Sequence, residues 1–509
     1  MKSRIVVAAS IVVLFLSGFF FYFNENKPVP IKSTYEYKVY PCWFAADYQR
    51  EISCGYLIVQ ADLGEFRLPV VILKDDSPLR EPDPIIYLNG GPGVSHGLHE
   101  KGIERWLSWM RLAGLNRDII LMDGRGIGLS QPALDCPALK KFNTDLLENV
   151  VSIQDERKKN RETVNQCLAN LAKHHPEIHP QNFGTQQSAQ DIIGLMQSLS
   201  ISRFGYASFH LLGVSYGTRL ALETERRMPQ DAKIQLKTMV LDSLYPAGKG
   251  GVTTIPSIAG EAFDQLFNAC SDSSDCKAPF ARMTPNADAL TPHEINAYFQ
   301  KALSRLADTP VSLMLRSGDS APVSVKVTDS RFLAAVFSSA YRVESWPIAM
   351  AAIVDVLEGS RDWLKTLMVS FLTNNANEDF NELAFLLTDC QDNGIGDNAA
   401  FLSGLDAYPQ YERFFQHEWE QQVCHDMAPS HPLLLGRAPQ VKTLVLSGVQ
   451  DPITPIGWAR ELQTKWPEAI FVERAHIAHS VLSDDICLLQ GLKTFFAEGL
   501  LAEACREQD

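Results

Sequence analysis

None of the ten cysteines stands in a Cys-x-x-Cys pair, which removes the usual zinc and dithiol redox motifs. Positive charge is also scarce. There are 46 Lys and Arg against 60 Asp and Glu, a formal net charge of -14, which argues against nucleic acid and anionic lipid surfaces as partners. There is no internal repeat and no low-complexity stretch, and 46% apolar with 21% charged residues is a composition that folds. At 509 residues the chain is long enough for two or three domain-sized units. The glycine-rich Asp123-Gly124-Arg125-Gly126-Ile127-Gly128-Leu129-Ser130 has no Lys-Ser/Thr, and its glycine spacing does not match a dinucleotide fingerprint. It reads as a structural turn in which Asp123 pairs with Arg125. No cofactor and no metal are expected.

Long hydrophobic runs are confined to one place. Ile5 to Phe23 is broken only by Ser10, Ser17 and Gly18, and follows the basic Lys2 and Arg4. That length crosses a bilayer, and the basic flank keeps the N-terminus in the cytoplasm. A cleaved signal peptide is the alternative, but no Ala-x-Ala-like site follows Phe23, and no cysteine follows for lipid attachment. The expectation is an uncleaved membrane anchor within residues 1–30, and either reading exports the remainder to the periplasm or the cell exterior. An even number of cysteines in an oxidising compartment points to disulfides. Sequence does not fix their connectivity. Taken in order they give Cys42–Cys54, Cys136–Cys167, Cys270–Cys276, Cys390–Cys424 and Cys487–Cys505.

The remainder is organised around Gly213-Val214-Ser215-Tyr216-Gly217. An apolar run leads in and a helical pattern leads out, so the serine sits at the tip of an abrupt strand-to-helix turn. A Cβ at Gly213 or Gly217 would collide with backbone there, and the helix start aims N–H groups at whatever Ser215 attacks. Upstream, Tyr56–Val59 and Leu68–Leu73 read as a hairpin, and Pro84–Leu88 as a buried strand running into Asn89-Gly90-Gly91-Pro92-Gly93. That loop leaves backbone N–H groups free at the strand's end. Asp118–Met122 and Thr238–Leu241 are further strands, with a helix over 185–199 by its apolar spacing. Together they imply a parallel sheet with right-handed crossovers. Residues 136–167 read as a polar surface excursion. From about 247 to 436 helices dominate, with one hairpin over 311–327, and strands return at 441–448 and 470–472.

Strand, elbow and glycine loop together resemble the α/β-hydrolase fold, in which nucleophile, acid and histidine follow in that chain order. Of twelve histidines only His476 and His479 lie beyond the strand at 441–448. The acid is Asp451, on a loop held between Pro452 and Pro455; Asp242 is its rival. His479 is preferred over His476 as base, partly because Ala475 and Ala478 permit a tight loop. The expected organisation is a mostly parallel catalytic domain in two parts, 31–246 and 437–509, with an inserted helical cap over 247–436.

More narrowly, the chain resembles the proline iminopeptidase and tripeptidyl aminopeptidase branch. The resemblance rests on Gly90-Gly91-Pro92-Gly93, Asp123 through Ser130, Gly213-Val214-Ser215-Tyr216-Gly217-Thr218, Val240-Leu241-Asp242, Gly448 through Asp451, and His479. The cysteine spacing is similar to that of exported tripeptidyl-type members, and the likeness runs from about 40 to 505. Three departures mark a divergent member: Ala478 where glycine is usual, Gln60-Ala61 where Pro-Leu is usual, and Ser243 where glycine follows Leu-Asp. The resemblance implies release of an amino acid or short peptide from a substrate with a free N-terminus. Ser215 would be nucleophile, His479 base and Asp451 its partner, with Tyr216 and Gly90 or Gly91 donating backbone N–H groups to the oxyanion. Cap carboxylates would read the substrate ammonium, the candidates being Glu378, Asp379, Glu382, Asp389 and Asp392. An esterase on the same triad and a silent binding protein on the same fold are the alternatives.

Overall fold

The computed structural model describes residues 33–506 except 45–47, 49, 62–63, 177–178, 230–232, 317–321, 376–377, 395–397, 416–422, 426 and 428–431. The expected anchor over residues 5–23 lies outside the described residues. Among those described, no helix is long and apolar enough to cross a membrane.

The first strand, β1 (Ser33–Tyr40), lies in a stretch with no clear sequence signal. Next come β2 (Ile52–Ala61) and β3 (Gly64–Leu73), the expected antiparallel hairpin. The chain continues through β4 (Ile85–Leu88), helix α1 (Glu100–Ala113) and β5 (Ile119–Met122). Helices α2 (Pro137–Glu148), α3 (Ile153–His174) and α4 (Thr185–Ile201) precede β6 (Ser208–Val214), α5 (Tyr216–Arg227) and β7 (Gln235–Asp242). After a long insertion come β10 (Lys442–Gly448), a helix over Ile456–Gln463, β11 (Ile470–Arg474) and a helix over Ile486–Glu498. The sheet order is β1-β2-β3-β5-β4-β6-β7-β10-β11. β5, β4, β6, β7, β10 and β11 pair in parallel.

This order positions the site. The chain leaves β4 toward β5 on one side and returns to β6 on the other, so β4 and β6 are neighbours although α1 to α4 separate them in sequence. At such a reversal the loops beyond the carboxyl ends diverge and leave a crevice. The two loops here are Asn89–Gly93 and the turn at Ser215. Both faces of the sheet's centre are covered, so β4 and β5 are apolar throughout. Phe209 and Leu211 enter one core with Ile192, Leu195 and Met196 of α4, and Leu212 and Val214 enter the other with Leu488 and Leu492. Each such side chain contributes about 1.5–3 kcal/mol by burial.

The insertion between β7 and β10 holds α6 (Ile255–Asp272), α7 (Pro292–Asp308), the antiparallel hairpin β8 (Val311–Leu315) and β9 (Val323–Val327), α8 (Asp329–Ser339), α9 (Trp346–Glu358), α10 (Asp362–Asn375) and α11 (Glu382–Asn393). A third core built on Phe263, Phe299, Phe332 and Met350 joins α6 to α10. Two features depart from the sequence reading. Residues 136–167 lie mostly at the surface but are helical: α2 and α3 bury Leu139, Phe142 and Val164, and Arg331 of α8 donates to the carbonyls of Leu146 in α2 and of Asn149 just beyond it. Their apolar residues are sparse and strongly charged neighbours mask the period. Helix α11 leaves the insertion's core, and Leu383, Leu386, Leu387 and Cys390 pack instead against the sheet side. All ten cysteines are paired, in sequence order.

Candidate active site

Ser215 has φ 56 and ψ -122, a conformation that costs a non-glycine residue about 1–3 kcal/mol and persists only where neighbours enforce it. The enforcement is steric and polar. A Cβ on Gly217 would lie 2.0 Å from the Leu88 carbonyl oxygen, and one on Gly213 2.3 Å from that of Gly217. The Ser215 N–H donates to the Asp242 carbonyl at 2.8 Å, and the Thr218 hydroxyl donates to the Ser215 carbonyl at 2.7 Å.

β10 and β11 bring the acid and the histidine together. His479 Nδ1 lies 2.8 Å from Asp451 Oδ2, whereas His476 is exposed. Thr454 donates its N–H at 2.8 Å and its hydroxyl at 2.7 Å to the same carboxylate. The two loops also touch: the Gln450 N–H donates to the Ile477 carbonyl, and a Cβ on Gly448 would lie 2.1 Å from the Ala478 carbonyl oxygen. Burial opposes charge on the imidazole, but the Asp451 charge and hydrogen bond outweigh it, with Asp242 adding to them. The pKa of His479 is therefore raised above the ordinary histidine value.

Asp242, the rival acid, holds backbone instead. Its carboxylate accepts the N–H groups of Val481 at 2.8 Å and Leu482 at 2.9 Å. Burial pushes this carboxyl up to about 6, against the effect of those two donors. Asp242 thus joins the elbow, through its carbonyl, to the segment just after His479.

The glycine loop lies against the elbow: a Cβ on Gly90 would stand 3.3 Å from that of Ser215. The Gly90 N–H donates to Asn89 Oδ1 at 3.0 Å, while those of Gly91 and Tyr216 have no hydrogen-bond partner among the described residues. Asp123 does not pair with Arg125. Its carboxylate accepts from the His96 N–H at 2.7 Å and the Ser95 hydroxyl at 3.1 Å, bracing the glycine loop. Arg125 reaches the other way, forming two bonds of 2.7 and 2.8 Å with Asp191 of α4 across the Phe66 ring. Adjacent residues in this turn face different elements, which the sequence does not show.

The five cap carboxylates separate into two groups. The segment carrying Glu378, Asp379 and Glu382 flanks the glycine loop: Val94 bridges Phe380, and the Ser95 N–H donates to the Asp379 carbonyl at 2.7 Å. Glu378 is exposed, Asp379 faces His99 and Arg105, and Glu382 accepts from Asn143 at 2.8 Å. Burial raises the Glu382 pKa. Asp389 and Asp392 are buried beneath α5 instead. Asp392 accepts from the Thr185 N–H and hydroxyl at 2.9 and 2.5 Å, and Arg219 lies 3.5 Å away. The Thr185 hydroxyl also meets the Tyr216 hydroxyl at 2.6 Å. Asp392 is therefore tied to the start of α4 beside Tyr216 of the elbow, while Asp389 accepts from Asn393 of its own helix at 2.7 Å. Among the described residues no cluster of three or more His, Cys, Asp or Glu is arranged to hold a metal ion.

A serine elbow after the central strand, and an Asp–His pair after the last two, complete the topology of one superfamily. The fold is that of the α/β-hydrolases. A family described as TAP-like protein matches residues 412–505, the segment that carries Asp451 and His479. The putative hydrolase YuaR of Escherichia coli K12 is 26% identical over 219 residues, 40% of this chain and 39% of its own length. The match therefore spans about two-fifths of that curated relative. Among solved structures, an α/β hydrolase fold protein from Chitinophaga pinensis is 11% identical with a TM-score of 0.38, covering 87% of this chain and 98% of its own. A proline iminopeptidase from Mycobacterium smegmatis is 14% identical with a TM-score of 0.36, covering 86% and 96%.

Proposed function

We propose that the protein is an exported serine aminopeptidase that removes N-terminal amino acids or short peptides through an acyl-enzyme. The observation that carries the reading is the Asp451–His479 pair at 2.8 Å, joined through Asp242 to the strained turn at Ser215. Ser215 Oγ attacks the scissile carbonyl while His479 Nε2, the ring nitrogen not committed to Asp451, takes its proton. Asp451 stabilises the imidazolium that forms. The N–H groups of Tyr216 and Gly91 receive the oxyanion, and removing one such donor costs about 3 kcal/mol in the transition state. His479 then protonates the leaving amine, and water activated by the same imidazole releases the acyl group.

The exopeptidase character rests on the resemblance and on the acidic segment beside the glycine loop. Asp379 and Glu382 are the carboxylates there best placed to meet a substrate ammonium. Export is supported by the five disulfides, which persist in oxidising compartments. The segment at 5–23 is proposed to tether the enzyme.

A fluorophosphonate probe labels the wild type and spares Ser215→Ala; equal labelling would remove Ser215 as nucleophile. Chromogenic peptide amides with free and acetylated N-termini then separate peptidase from esterase. The free forms are turned over and the acetylated ones are not. Equal turnover, or cleavage of simple esters alone, would end the aminopeptidase reading.

A further inference from the structure

Among the described residues, four non-glycine positions adopt positive φ: Asn116, Ser215, Ser243 and Ser480. The three serines are linked through one short segment at the end of β7. The Ser215 N–H reaches the Asp242 carbonyl at 2.8 Å, and the Ser480 N–H donates to Ser243 Oγ at 2.8 Å. The Ser243 hydroxyl in turn donates to Asp242 Oδ1 at 3.4 Å, and its N–H donates to the Leu446 carbonyl at 2.9 Å. Asp242 and Ser243 together therefore receive three consecutive N–H groups, those of Ser480, Val481 and Leu482, directly after His479. They also touch the strand that leads to Asp451.

At φ +59 Ser243 occupies a conformation that glycine adopts without penalty. A serine there is a cost to the backbone, and what it supplies in return is the hydroxyl. That hydroxyl is fully enclosed, with the residue 1% exposed. We propose that Ser243 is a positioning residue for His479: its Oγ clamps the Ser480 N–H and fixes the backbone from which the imidazole projects. This inference rests on the reading of Ser215, Asp451 and His479 as the catalytic groups. It adds a residue that acts through the histidine without touching substrate. With the clamp absent, the loop after His479 keeps the two Asp242 bonds but loses the one nearest the ring. The imidazole then drifts from Asp451 on one side and from the serine on the other.

The test uses the full-length protein and the rate of fluorophosphonate labelling at Ser215. Ser243→Gly removes the hydroxyl and relieves the positive φ, so its thermal midpoint equals or exceeds that of the wild type. Its labelling rate constant falls about 10- to 100-fold, the scale of a displacement near 1 Å at a reacting group. Ser243→Ala loses the same bond while keeping the strained φ, and shows a similar rate loss with a lower midpoint. The rising limb of the rate against pH also moves to lower pH in Ser243→Gly, because the weakened Asp451 contact no longer holds the imidazole proton as strongly. A Ser243→Gly protein that labels at the wild-type rate would overturn the proposal and leave the triad intact. One that no longer folds would assign the hydroxyl to the fold and overturn it as well. A wild type that is not labelled at Ser215 would instead remove the triad reading, and this inference with it.

Discussion

Asp451 and Thr454 form a closed unit: the carboxylate that meets His479 also takes the Thr454 N–H at 2.8 Å and its hydroxyl at 2.7 Å. The acid is thus held by its own loop, which also donates the Ile453 N–H to Oδ1 at 3.0 Å, and Oδ2 faces Nδ1 of His479 at 2.8 Å. Asp451→Asn preserves the shape and most of the packing while removing the charge. It lowers kcat/KM for a cleavable substrate by about 10⁴-fold with little change in thermal midpoint, since the imidazole loses both its tautomer and its counter-charge. Retention of more than a tenth of the activity would pass the acid role to Asp242.

The pH dependence follows from the raised His479. On the proposed mechanism catalysis needs the neutral imidazole, so activity rises with pH through a midpoint above the ordinary histidine value of 6.5, and Asp451→Asn brings that midpoint down. Stability has the opposite sign. A raised pKa means that the folded state binds the proton more tightly, so this contribution is full below the unfolded value and is lost as pH rises through the folded one. Denaturant unfolding followed across the neutral range therefore shows the His479 contribution shrinking as activity appears. A profile whose midpoint lies below the ordinary histidine value would contradict the assignment.

The elbow glycines face backbone, which cannot yield as a flexible side chain can. Gly217→Ala sets a methyl 2.0 Å from the Leu88 carbonyl oxygen, and Gly213→Ala sets one 2.3 Å from that of Gly217. Each destabilises the protein by more than about 3 kcal/mol, in the range of severe overpacking and backbone strain, and abolishes probe labelling. Chemical denaturation of each variant is the check. A shift below about 1 kcal/mol would show that the turn can relax.

Cys390 and Cys424 are separated by 34 residues and anchor α11, the helix that bears Asp389 and Asp392, to the sheet side. Closing a loop of that length restricts the unfolded chain by about 4 kcal/mol on the chain-entropy model. Replacing both cysteines by serine lowers the unfolding free energy by about 2–4 kcal/mol, and reductant lowers the midpoint of the wild type more than that of the variant. Equal sensitivity to reductant would show that this bridge carries none of the effect.

The parts of the site that were legible in the sequence are those encoded within a few residues. Gly-x-Ser-x-Gly states its own steric demand, and strand, turn and helix follow from its flanks. The order of serine, acid and histidine left two histidines, and the 2.8 Å contact of His479 with Asp451 distinguishes them. Long-range polar pairing was not legible. The bonds of Asp392 to Thr185 span 207 residues, and Arg125 reaches Asp191 rather than the Asp123 beside it. Neither has a local signature. Asp389 and Asp392 stand among the candidates for a substrate ammonium because helical spacing does not reveal that the buried Arg219 waits opposite. Ser243 could have been noticed, since a serine where glycine is usual must occupy a glycine's backbone conformation or change the turn.

The dependence of the His479 loop on the end of β7 also sets a timetable. Ser215 leaves the ribosome well before Asp451 and His479, together with its glycine loop and with Asp242 and Ser243. Asp451 and His479 are made later, after β10 and β11 respectively. On the proposed mechanism a partly synthesised chain holds a serine without a base, and the three N–H groups that would close the clamp do not yet exist. On that mechanism the serine is inert until the segment that carries Asp451 and His479 has docked.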